Sequence, residues 1–90
     1  MDDTRYNGWT NYETWLVNLW LTNEEATQAA LYEMAAEHKD EPEYVLADAI
    51  QAYTDELIGR DDLQGMLSDL VGAALSNVDW REIAHSARSE

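Results

Sequence analysis

Cysteine and phenylalanine are absent from this chain of 90 residues, and proline and lysine each occur once. Without cysteine there can be no disulfide, no thiolate zinc site and no cysteine nucleophile, and a cytoplasmic protein is the expected setting. Lysine scarcity leaves five basic residues against nineteen acidic ones, a formal charge of -14. Nucleic-acid binding draws much of its affinity from cations that neutralise phosphates, so direct binding of DNA or RNA is not expected. Anionic membrane surfaces are disfavoured for the same reason. Long apolar runs are missing as well: nothing approaches the roughly 18 residues of a membrane span, and Met1 to Arg5 lack the pattern of a secretory signal.

The negative charge is not a tail on a neutral domain. Residues 1–45 hold ten acids and two bases, and residues 46–90 hold nine and three. Three uses of such charge remain: a protein partner with a basic surface or groove, imitation of nucleic acid, or adaptation to a salty cytoplasm. The apolar share of 46% is spread along the chain, and the length exceeds what a small core needs. One domain over residues 1–90 is expected, with 1–9 as an N-terminal turn segment and 86–90 as a frayed end.

Helical spacing dominates. Asn7-Gly8 marks a turn. Thr10 and Glu13 have the spacing of a capping box, and Tyr12, Trp15, Leu16, Leu19 and Trp20 form one apolar stripe behind it. Thr22 and Glu25 repeat the box before a second helix ending near His38, with Ala30, Leu31, Met34 and Ala35 inward. Pro42 opens a third helix striped by Val45, Leu46, Ala49, Ile50, Tyr53 and Leu57, and Gly59 suits its end. Asp61 or Asp62 can cap a fourth helix carrying Leu63, Met66, Leu67, Leu70, Val71, Ala74 and Leu75. Ser76-Asn77 breaks it, and Val78, Trp80, Ile83 and Ala84 form a short last helix. No stretch alternates with period two. The spacing predicts an all-α, compact bundle of four or five short helices.

The densest motif is Asn7-Gly8-Trp9-Thr10-Asn11-Tyr12-Glu13-Thr14-Trp15. It resembles the opening of a family of short, largely uncharacterised proteins of phages, plasmids and prokaryotic genomes. Leu70 to Leu75 and Val78 to Ala84 also look like that family's C-terminal part, and together these segments span about a third of the chain. The resemblance implies a mobile-element setting and carries no activity, cofactor or catalytic residue.

Read physically, the motif is first a turn, a cap and core aromatics. The functional alternative makes Tyr6, Trp9 and Tyr12 an exposed aromatic anchor, since Tyr and Trp dominate interface hot spots. The acids divide in the same way. Glu33, Glu37 and Glu41 crowd the second helix and the turn after it, while Glu41, Asp48 and Asp55 recur every seven residues, about 10.5 Å apart along a helix. A solvated face explains them, as does a row of carboxylates standing in for phosphates.

Catalysis finds no residue set. His38 and His85 fall near helix ends, where they suit the dipole. No spacing for a metal site, phosphate loop or nucleophile elbow occurs, so no catalytic residue, metal or cofactor is expected. The expected function is a non-enzymatic acidic protein-binding module: a mobile-element inhibitor that mimics nucleic acid against a host defence enzyme. Beside it stands an acidic accessory or structural protein of a halophile or its virus. A domain this small can also complete its core with a second copy, so a homodimer stays open beside the monomer.

Overall fold

The computed structural model describes residues 5–89. Five α-helices follow one another: α1 (Tyr12–Asn23), α2 (Glu25–Glu37), α3 (Glu43–Leu57), α4 (Gly65–Ser76) and α5 (Trp80–Arg88), with a single 3-10 turn at Arg60–Asp62 before α4. No strand occurs among the described residues, and the chain is all-α. Residues 1–4 of the expected turn segment and Glu90 of the expected frayed end lie outside the described residues.

The core forms where α3 packs on α5 and α2 closes over both, with α1 lying against α2 and α5. Its fully buried side chains are Leu31, Leu46, Ile50 and Ile83, joined by Leu21, Val78 and four alanines. α3 buries Leu46, Ala47, Ile50 and Thr54, which follow helical spacing and share one face. Gly59 follows α3 in the left-handed conformation, φ 69°, as expected of the residue after a helix end. α5 contributes Ile83, Ala84 and Ala87 from one side, so residues 86–88 are a packed last turn rather than a frayed end. Two contacts hold them there: Ala87 is buried, and Arg88 donates to the Lys39 carbonyl at 2.8 Å.

Three local expectations are corrected. Asn11, not Thr10, caps α1: its side-chain oxygen accepts from the Thr14 amide at 2.9 Å. Thr22 opens no second box, because it lies inside α1 and donates to the Asn18 carbonyl at 2.8 Å, a bond its own helix already supplies. Neither Asp61 nor Asp62 caps α4; both belong to the 3-10 turn, and Gln64 precedes the helix without a side-chain bond.

The larger correction concerns which faces are inside. α1 buries Thr14 and Leu21, with Val17 packed on the core between them. The expected stripe lies on the opposite arc, and its members Tyr12, Leu19 and Trp20 are exposed. In α4 no residue is buried at all. α4 makes no contact with another helix comparable to those among the other four.

Candidate functional site

The N-terminal motif and the start of α5 interlock through their caps. Thr14 is fully buried, and its hydroxyl donates to the Asn11 side-chain oxygen at 2.6 Å while accepting from the Asp79 amide at 2.8 Å. Asp79 caps α5 by accepting from the Glu82 amide at 3.1 Å. Its other carboxylate oxygen accepts from the Thr10 hydroxyl at 3.3 Å. The Thr10 amide donates to Glu82 at 2.8 Å, and the Asn11 side-chain amide donates to the Asn77 carbonyl at 2.6 Å. Arg5 pairs with Glu82 at 3.1 Å and also donates to the Gly8 carbonyl. Each helix start is thus capped by its own side chain, and the two, more than sixty residues apart, are tied by the Asp79 amide bonding Thr14 and the Thr10 amide bonding Glu82.

This polar clasp explains most of the dense motif. Asn7 and Gly8 both have positive φ, 48° and 88°, which closes the tight turn between Tyr6 and Trp9 through reciprocal 2.7 Å backbone bonds. The turn sends Trp9 against the core. Tyr6 instead meets Tyr12 edge-on, ring centroids 5.0 Å apart, and tilts against Trp15 at 4.9 Å. The three expected aromatic anchors are therefore divided: Tyr6 and Tyr12 are exposed and clustered with Trp15, and Trp9, paired with Tyr6 through the backbone, is half-buried against the core.

Most of the acidic residues outside the clasp face water. Glu33 and Glu37 are exposed on α2, Asp48 is exposed on α3, and Asp55 is half-exposed one turn from its end. Glu41 precedes Pro42, outside α3, and its carboxylate lies 2.6 Å from His38. The seven-residue row therefore has two members on the helix, Asp48 and Asp55, rather than three. Asp55 joins Glu56, Asp61 and Asp62 around one concavity of about 370 Å³ that Arg60 also lines. Among the described residues, ion pairs within 4 Å engage the carboxylates of Glu41, Glu43 and Glu82.

The histidines stand at helix ends. His38 is the C-cap residue of α2, and His85 is in the last turn of α5, 3.0 Å from Glu43. A shallow concavity of about 680 Å³ between the ends of α2 and α5 is lined by Tyr32, Lys39 and Arg88 with alanines beneath. Its cations sit beside two helix C-termini, where positive charge complements the dipole. Among the described residues no group of three or more His, Asp or Glu could hold a metal ion, and no helix is long and apolar enough to cross a membrane.

The feature that sequence reasoning missed is apolar. Leu16, Trp20, Leu57, Ile58 and Leu75 surround a groove of about 180 Å³ walled by apolar surface. Beyond Leu75, α4 carries Met66, Leu67 and Leu70 to the surface. The signal was in the composition: residues 63–78 contain one charged side chain, Asp69, in a chain that is 27% charged. A second missed signal is Asp79 three residues before Glu82, a cap spacing as clear as that of Thr10 and Glu13.

Comparison with curated proteins and with solved structures finds no match. A family model covers nearly the whole length, residues 2–87, and the chain belongs to that family, the Family of unknown function (DUF7249).

Proposed function

We propose that this is a cytoplasmic, non-enzymatic binding module whose partner is a protein with a basic groove, and that its carboxylates occupy that groove in place of nucleic-acid phosphates. The observation that carries the reading is the outward, mostly unpaired acid. Glu33, Glu37 and Asp48 project from α2 and α3, and Asp55 continues into the concavity shared with Glu56, Asp61 and Asp62. Unpaired surface carboxylates in this number create a field that steers a basic partner and repels nucleic acid itself. The phage and plasmid resemblance of the Asn7 to Trp15 motif supports a mobile-element origin and a host defence nuclease or restriction enzyme as the target. Tyr6 and Tyr12, packed with Trp15, supply exposed aromatic surface for a second point of contact.

The test is competition. Labelled duplex DNA is bound to the basic defence nucleases of the host, and its displacement by this chain is followed by fluorescence anisotropy at low and moderate salt. Displacement that weakens as salt rises is expected, and Asp48→Lys with Asp55→Lys lowers the apparent affinity roughly tenfold. Failure to displace DNA from any of them, together with unfolding of the chain at low salt, would replace this reading with salt adaptation.

A further inference from the structure

Helix α4 is fastened by its polar side. Arg60 donates to the Ser68 hydroxyl at 3.2 Å. The same guanidinium lies over Gly72 so closely that a methyl group there would come within 2.6 Å of Arg60 Nη2. Ser68 and Gly72 are four residues apart and share one face of the helix. Met66, Leu67, Leu70 and Ala74 occupy the remaining arc and are exposed, Met66 to 78%, Leu67 to 56% and Leu70 to 60%. The most apolar stretch of the chain thus faces water. At the C-terminal end Leu75 turns inward, packs on the core and lines the apolar groove with Trp20, Leu57 and Ile58. Leu75 is the α4 residue that lines the groove, so the groove borders the helix that carries the ridge.

We propose that this surface pairs with the same surface of a second copy, α4 against α4, in a two-fold dimer. Area supports it first. With about 200 Å² for a large side chain, the exposed parts of Met66, Leu67 and Leu70 on α4 come to roughly 390 Å², and Trp20, Leu57 and Ile58 at the bordering groove add roughly 310 Å², against the ~800 Å² each partner buries in a standard interface. Charge selects the occupant. A basic partner is matched by carboxylates, and these lie on α2, α3 and the 3-10 turn, whereas α4 offers only Asp69. The centre of an interface is depleted of charge, and a two-fold contact needs a patch complementary to itself. The alanines at 73 and 74 add the small side chains that let two helices approach closely. This inference stands apart from the proposed function, which uses other faces of the molecule.

Two copies of charge -14 repel each other, so dimerisation strengthens with salt, whereas binding to a basic groove weakens. Sedimentation equilibrium of the full chain, from micromolar to millimolar protein and at ionic strengths from about 0.01 M to 0.1 M, where the Debye length falls from ~30 Å to ~10 Å, reads this directly. A monomer–dimer equilibrium that tightens with salt is expected. Leu67→Glu with Leu70→Glu weakens it by roughly 30-fold or more, with helical circular dichroism retained because neither side chain is buried. Leu70→Gln gives a smaller weakening in the same direction without added charge. Tyr44→Glu, at an exposed site at the far end of α3, leaves dimerisation unchanged beyond its added charge. A chain that stays monomeric at millimolar concentration and at the higher salt overturns the proposal, as does a dimer that survives the double substitution.

Discussion

α5 and α4 invert the usual relation between apolar content and burial. α5, Trp80–Arg88, is polar on average, yet its apolar residues fall on one side and Ile83, Ala84 and Ala87 are buried. α4, Gly65–Ser76, is the most apolar of the five on average and buries nothing. The difference lies in how each begins and what holds it. α5 starts behind Asp79, which caps it and is bonded to Thr10 and Thr14, so the helix is fixed in rotation against α1. α4 starts without a side-chain cap and is held mid-length by Arg60, which takes the Ser68 and Gly72 side. Helix content therefore says little about orientation here, whereas a few long-range hydrogen bonds decide it.

The sharpest way to break the comparison is in the core of α5. Ile83→Ala removes a fully buried side chain between α3 and α5 and is expected to cost about 2–5 kcal/mol in urea unfolding. A loss below about 1 kcal/mol would mean that α5 is not the keystone. Next comes the clasp: Thr14→Val keeps the shape but leaves the Asp79 amide without its acceptor, a cost of about 1–3 kcal/mol by the same measurement. Asn11→Ala removes the α1 cap and the bond to the Asn77 carbonyl. Its effect is expected near 1 kcal/mol, read as a drop in thermal midpoint. The smallest effect belongs to α4. Leu70→Ser at protein concentrations too low for association changes stability by less than about 0.5 kcal/mol, which a large loss in dilute solution would contradict.

Much of the fold is legible in the sequence, for reasons these residues make plain. α2 and α5 bury the faces their spacing predicts, Leu31 and Ala35, Ile83 and Ala84, whereas α3 buries Leu46 and Ile50 of its expected stripe together with Ala47 and Thr54 and leaves Leu57 exposed. α1 is apolar nearly all round, from Tyr12 and Trp15 through Val17 to Trp20 and Leu21, so spacing alone cannot choose its inner face. Thr14 chooses it, through bonds to Asn11 and Asp79, and the second of these spans 65 positions. The cap moved by one residue for a related reason: Thr10 and Asn11 are both good caps, and Asp79 and Glu82 claim Thr10. The outward face of α4 was unreadable because a helical stripe is ordinarily assigned to the chain's own core. The acids were legible as a surface, with Glu41 displaced from the α3 row because Pro42 marks the start of that helix after it.

The most direct test of the outward α4 face follows backbone amide shifts in a dilution series of the isotope-labelled chain, from millimolar to micromolar. Concentration-dependent shifts are expected at residues 65–75 and around Trp20 and Leu57, with α5 and the clasp unchanged. Shifts absent from α4, or confined to the acidic faces of α2 and α3, would contradict it.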